Sequence, residues 1–569
     1  IIPLLTMISS TFTLAQGELR RVQGHVGDFT LYYWKYILTG KLASAVLWGP
    51  LKNSFICGFF TVLVSVPLGS VLAWLMIRTD LPGKKILGLL VTVPYMIPSW
   101  TKALAWLAMF RNSTSGANGF LAGMGIPIPD WLAYGPIAIV LCMSMHYYAF
   151  SYIMVSGALR SINSELEEMG EIQGAGKAMI LRKITLPLVL PAILSAVILT
   201  FSKAIGTFGT INYLGSPVQY YTLSSQLYMN INSRDTQTGF AMAILMIIIA
   251  SIAVFVNQKL IGSRKSYATI GGKGGRSTLI GLGKVGRPVI TAALFVFFAV
   301  GIIMPIVILV MESFMLKEGI YSLDNFTLHY WIGESNPQIM EGLPGIFKND
   351  EFINSLFNSL RLTLVNGVFG TIFGQLLGYI TAKGRGRLHG KLVEQLVFIP
   401  YLIPSVAFGG IYLSMFSQPQ QIFGVTLVPA LYGTFALLTL VSVVKHLPFA
   451  ARAGTSNMLQ ISGELEEAAT IEGAGFFRRF VKIVFPLSKG GFISGFMLIF
   501  VSIMKELDLI ILIMTPTTST LPYLAFRYQN GNSPQASDCV AIVMFSIVFL
   551  VYAIANLSGK ADLAKSMAG

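Results

Sequence analysis

Apolar stretches of about twenty residues, each long enough to cross a hydrocarbon layer roughly 30 Å thick, alternate with polar connections along the whole chain. Eleven complete spans are predicted, near 56–77, 86–110, 133–157, 190–210, 239–258, 288–311, 360–382, 392–416, 428–450, 490–513 and 538–557. Ile1 to Ser10 reads as the tail of a twelfth, because Ile2-Pro3 followed by apolar residues parallels Met304-Pro305 within the span near 288–311. The sequence is thus expected to begin inside a helix, short of its native N-terminus. The pattern predicts an all-α polytopic membrane protein.

The spans repeat. Phe29-Thr-Leu-Tyr-Tyr-Trp34 returns as Phe326-Thr-Leu-His-Tyr-Trp331, and Pro94-Tyr-Met-Ile-Pro98 as Pro400-Tyr-Leu-Ile-Pro404. Asn53-Ser54, His146 and Glu165-Leu-Glu-Glu168 recur as Asn358-Ser359, His446 and Glu464-Leu-Glu-Glu467, at offsets between 297 and 306. Six spans per copy is an even number, so both copies share one membrane orientation and are related by a pseudo-twofold along the membrane normal. The expected organisation is a first transmembrane repeat over 1–262 with a truncated first helix, a cytoplasmic linker over 263–287, and a second repeat over 288–569. The linker contains Gly281-Leu-Gly283-Lys-Val-Gly286, but no strand precedes it and a span follows, so a dinucleotide role is disfavoured.

Composition sharpens this. Only 11% of the 569 residues are charged, against about 25% in soluble proteins. The net charge of +15 is a topology signal: the loops at 78–85, 158–189, 259–287, 383–391, 451–489 and the C-terminus hold 25 Lys and Arg, the opposite set 10. By the positive-inside rule those loops, and the C-terminus, belong in the cytoplasm. Nucleic-acid binding drops out as an explanation of the charge. Cys57, Cys142 and Cys539 lie in or beside apolar runs and give neither a disulfide framework nor a metal-ligand set.

The most informative segments are the two long loops after the fourth span of each copy. The first runs Glu165-Leu-Glu-Glu-Met-Gly-Glu-Ile-Gln-Gly174 and on to Ile184-Thr-Leu-Pro187; the second runs Glu464-Leu-Glu-Glu-Ala-Ala-Thr-Ile-Glu-Gly473 and on to Ile483-Val-Phe-Pro486. Each predicts a helix opened by acids that suit a helix N-terminus, a Gly break, a short basic helix, and a Pro that starts the return into the membrane. The pair resembles the EAA loop of permease subunits in binding-protein-dependent ABC importers, closest to the fused, double-length permeases of the ferric-iron group. The second copy matches at Glu467, Ala468, Ala469, Gly473, Ile483 and Pro486. The first keeps Glu168, Gly174, Ile184 and Pro187 but has Met169 and Gly170 where the family has two alanines. The resemblance implies two tandem six-helix type I importer domains in the bacterial inner membrane, with these residues coupling to two separate ATPase subunits that bind ATP and Mg. It also implies an extracytoplasmic binding protein as partner, with ferric iron as the leading cargo and thiamine, polyamines, sugar phosphates or phosphonates as alternatives. No Gly-x-x-x-x-Gly-Lys-Ser/Thr loop occurs in the sequence, so the chain is read as a permease without catalysis or a cofactor of its own.

Ionisable side chains inside spans cost about 2.5–3.5 kcal/mol on insertion scales and so face cavities or partners. Lys102, Lys203, Lys505, Glu506 and Asp508 are read as path-lining residues, as mutually paired ones or as side chains snorkelling from helix ends. Lys505 and Asp508, three apart, are expected on one helix face, and Glu506 is placed to meet Lys203 across the pseudo-axis. Tyr95 and Tyr401, in the Pro-Tyr-x-Ile-Pro motifs that break the third spans, suit a gate or static packing equally. His146 and His446 read as packing or hydrogen-bonding residues rather than metal ligands. Phe29–Trp34 and Phe326–Trp331 read as short amphipathic segments at the lipid interface. A twelve-helix secondary transporter shares the two-by-six pattern, and the duplicated EAA-type loop weighs against it. A membrane-embedded enzyme or channel finds no nucleophile cluster or filter repeat.

Overall fold

Runs of Leu, Ile, Val and Phe placed in hydrocarbon must pair their backbone groups within the segment, which a helix does. The computed structural model describes residues 2–19, 21–162, 164–262, 279–339, 342–422, 425–459, 461, 463–531 and 533–557. Its first half contains Ile2–Ser10, Gly49–Arg78, the pair Lys84–Met96 and Ser99–Phe110, Gly135–Ser161, Leu186–Gly206 and Thr236–Gly262. The second half repeats that order with Gly283–Phe298 leading into Met304–Glu312, then Asp350–Lys383, the pair Leu388–Leu402 and Ser405–Phe416, Phe435–Met458, Lys489–Met504 and Pro534–Leu557. Among the described residues eight helices are long and apolar enough to cross a membrane, or ten if each bent pair is one span. Phe59, Leu63, Phe357 and Phe373 are exposed on the outside of the bundle, as an apolar solvent allows. A short antiparallel hairpin, Gln420–Ile422 with Val425–Val428, is added to the all-helical expectation.

The third spans break where the sequence predicts. Ile97 and Ile403 are extended, with ψ of 132° and 130°, because the ring of the following proline disfavours a helical residue before it. In the second half the two segments meet at 101°. The second and fourth spans of each half pack closely at small residues: a Cβ on Gly69 would meet Ser151 at 2.8 Å, and one on Gly378 would meet Gly454 at 2.6 Å. The repeated Asn-Ser pairs also find a reason. Ser54 and Ser359 accept the amides of Leu223 and Leu521, while Asn53 and Asn358 donate to the carbonyls of Tyr221 and Ser519. Both pairs therefore fix the start of the helix before the last span.

The halves interlock through their first spans. Ile2–Ser10 lies against Ser405–Phe416 of the second half, and Met304–Glu312 against Ser99–Phe110 of the first.

Two expectations are corrected. The fifth span of the second half ends at Met504 instead of reaching 513, and Leu507 to Met514 form buried turns packed between the halves. That apolar run faces protein, which hydropathy cannot distinguish from lipid. The expected linker 263–287 lies outside the described residues over 263–278, as does the C-terminal tail from 558, but its end is not a free loop. Ile280 pairs with Thr79, Asp80 accepts the Leu282 amide and is ion-paired with Arg287, and helix begins at Gly283. Gly283 and Gly286 of the formal GxGxxG therefore sit in a helical turn.

Candidate functional site

The two long loops lie at one end of the bundle with matching geometry. Ser164–Ile172 and Gly463–Ile471 are the acidic helices, and Gly174 and Gly473 follow at φ of +80° and +79°. A Cβ at either glycine would meet nothing within 4 Å. The left-handed backbone, not space, calls for glycine there. Ile184 and Ile483 lie half-buried in wide π-type turns, and Pro187 and Pro486 stand at the first turn of the following segments, where a missing N–H costs little.

Glu168 and Glu467 are exposed on the outer face of these helices, as is Ala468, with Ala469 half-buried. Beside them Ile172 and Ile471 are each 85% exposed. The preceding glutamates point inward. Glu167 is ion-paired with Arg78 at 2.8 Å and accepts from Thr185 at 2.6 Å. Glu466 is paired with Lys383 at 2.6 Å and accepts from Tyr379 at 2.6 Å. Each loop is thus tied to the end of its own second span. The sequence reading missed Glu167 and Glu466; their signal was the repeated basic residue, Arg78 or Lys383, closing the second span. The Met169-Gly170 departure is compensated nearby, since a Cβ on Gly170 would stand 3.1 Å from Ile184 and 3.3 Å from Ile180. In the second copy Arg479 replaces Ile180 and instead bonds the Thr470 hydroxyl.

A second site lies between the halves. Lys203, Lys505, Glu506, Asp508, Tyr95 and Tyr401 all line one cavity of about 160 Å³. Lys203 stands 4.5 Å over the ring of Tyr401, and Lys505 stands 4.4 Å over the ring of Tyr95 and donates to its carbonyl. Two reciprocal cation–π contacts therefore cross the pseudo-axis. Lys505 and Asp508 do not share a helix face, because the helix has ended: Asp508 accepts the amides of Phe208 and Gly209 from the other half. Glu506 does not pair with Lys203. It accepts the Leu509 amide and lies 3.6 Å from His446.

Lys102 sits behind the cavity wall, bonded to the Pro94 carbonyl and 2.9 Å from His146 Nδ1. Lys445 was not singled out from the sequence, yet it lines the cavity and bonds the Pro400 and Ile403 carbonyls. Its signal was an ionisable residue inside an otherwise apolar span.

Toward the loop end, Phe150, Phe398, Tyr401 and Phe449 narrow the space to about 60 Å³. Beyond them a vestibule of about 1190 Å³ opens between Ser161 of one half and Arg452 and Leu459 of the other. At the opposite end Arg111 of the first half is ion-paired with Glu318 of the second.

The family model described as binding-protein-dependent transport system inner membrane component matches residues 65–267 and 374–561. A ferric transport system permease protein of Actinobacillus pleuropneumoniae is 22% identical over 529 residues, covering 91% of this chain and 72% of that protein. A molybdenum transport system permease protein of Escherichia coli K12 is 28% identical over 220 residues, 37% of this chain and 93% of the relative. Among solved structures, a bacterial ABC transporter involved in the import of the acidic polysaccharide alginate has a TM-score of 0.38 at 15% identity, covering 48% of this chain and 93% of that one.

Proposed function

Because the chain belongs to the family of binding-protein-dependent transport system inner membrane components, matched twice along its length, we propose that it houses the whole translocation path of an ATP-driven importer of ferric iron. The cargo reading is supported by the ferric permeases of Actinobacillus pleuropneumoniae and Haemophilus influenzae, similar over 91% and 86% of this chain. The loop end is the cytoplasmic end, with the C-terminus on that side, and each loop docks on one of two ATPase copies that hold ATP and Mg²⁺. An extracytoplasmic binding protein delivers cargo to the opposite end. The observation that carries this is the duplicated helix presenting Glu168 with Ile172, and Glu467 with Ile471, as exposed residues at the loop end of the bundle.

The inward glutamates turn docking into movement. A helix pulled by its ATPase drags the second span through Arg78–Glu167 or Lys383–Glu466, and the fifth span through the turn that follows. Drawing both loops together narrows the vestibule and strains the contacts closing the opposite end.

The test is ATP-linked uptake of radiolabelled iron by proteoliposomes holding the chain with its ATPase and binding protein. Glu168→Arg and Glu467→Arg each lower uptake and co-purification of the ATPase, Glu467→Arg more strongly. Normal coupling in both variants, or uptake driven by an ion gradient without ATP, refutes the reading.

A further inference from the structure

We propose that the cavity between the halves is an anion site, accepting a small solute that carries hard oxygen anions, either free or as the ligand shell of a metal ion. The inference rests on the path reading above and names the chemistry the path selects. Lys203, Lys445 and Lys505 line the cavity, and among the described residues none of them has a carboxylate within ion-pair distance. Their ammonium groups rest against the rings of Tyr401, Tyr95 and Phe408 and the carbonyls of Tyr95, Pro400 and Ile403. Dipoles and quadrupoles orient such a group without cancelling its charge.

The two carboxylates in the cavity are held by backbone amides, which orient them and leave their charge in place. Asp508 caps the start of the Gly209–Gly215 helix through two amides, and Glu506 holds the Leu509 amide and faces His446. Three lysines against two carboxylates leave the cavity a net formal charge of +1, which between low-dielectric walls favours an anion over a bare trivalent metal. Among the described residues no three His, Cys, Asp or Glu side chains converge as a metal-binding group. The vestibule continues the sign, with Lys391 and Arg452 against Glu394. A ferric ion taking this route therefore crosses inside an anionic shell.

The experiment reads the sign of the cavity directly. Cysteine is placed at Ser502, which lines the cavity, in the full chain carrying Cys57→Ala, Cys142→Ala and Cys539→Ala and assembled with its ATPase. Its reaction rates with anionic methanethiosulfonate ethylsulfonate and cationic methanethiosulfonate ethyltrimethylammonium are compared with those of free cysteine, in the ATP-free and nucleotide-trapped states. The anionic reagent is favoured by about tenfold or more, Lys203→Gln with Lys505→Gln removes most of that preference, and Lys203→Arg with Lys505→Arg keeps it. Equal rates, a cationic preference, a preference indifferent to the lysines, or no labelling in either state overturns the proposal. Uptake with labelled phosphate, or with labelled iron and labelled citrate together, separates the sources: phosphate crossing alone marks a free oxyanion, iron crossing with its anion marks the escorted metal. Iron crossing with every labelled anion left outside also overturns it. ATP-independent uptake would sink the importer reading while leaving the thiol preference intact, so the two failures are distinguishable.

Discussion

The two halves solve one problem with different residues. Each third span is broken at Pro-Tyr-x-Ile-Pro, and each break leaves a proline carbonyl without a helical partner, because the residue four on is itself a proline with no N–H to donate. In the first half Lys102, from the third span itself, reaches Pro94; in the second Lys445, from the fourth span, reaches Pro400. Phe408 stands in the second half where Lys102 stands in the first, and Met145 in the first where Lys445 stands in the second. What the pseudo-symmetry preserves is an ammonium at the broken turn, not the position in the chain that supplies it. The loop anchors differ in the same spirit. Arg78 is 1% exposed and also bonds the Leu159 carbonyl, whereas the Lys383 side chain is 38% exposed.

The anchors give the largest expected contrast. Glu167→Ala leaves Arg78 buried without its carboxylate and destabilises the first half by about 3 kcal/mol, while Glu466→Ala costs about 1 kcal/mol or less because water reaches Lys383. Thermal unfolding of the two variants in detergent checks this, and equal losses would break the asymmetry. Next comes the exchange of lysines. Lys102→Met strands the Pro94 carbonyl at a cost of about 1–3 kcal/mol, and adding Met145→Lys, which copies the second half's solution, restores most of it; a double variant no better than the single would show that the two lysines do different jobs. Gly174→Ala and Gly473→Ala should each cost about 1 kcal/mol, equally, since neither new methyl group meets an obstacle. The smallest effect is at the docked end of the linker. Arg287, and then the Leu282 amide, pull the Asp80 carboxyl down from 3.8 to about 2. The clamp is therefore fully present above about pH 4 and is lost as pH falls through about 2, and Asp80→Asn removes that dependence. Amide hydrogen exchange at 280–287 across this pH range reads it.

The spans were legible because lipid demands long apolar helices, and the repeat was legible because motifs such as Glu165–Glu168 and Glu464–Glu467 keep their spacing. Less was legible where one chemistry serves two environments. Leu507 to Met514 is as apolar as a span but buried against protein. Glu167 and Glu168 are identical in type, and only the turn of the helix decides which meets Arg78 and which faces outward. The grouping of Lys203, Lys505, Tyr95 and Tyr401 in one cavity depends on the fifth span of one half meeting the broken third span of the other. Their placement within individual spans was readable, but that long-range contact was not.

The exchanged first spans bear on how the protein is made. Ser99–Phe110 is synthesised roughly two hundred residues before Met304–Glu312, the helix it packs against, an interval of about ten to forty seconds at 5–20 residues per second. For that time the first half carries an unpaired face in the bilayer, and its assembly waits on the second. Carrying both halves on one chain keeps the awaited helix tethered nearby, which turns an encounter between separate subunits into an intramolecular closure.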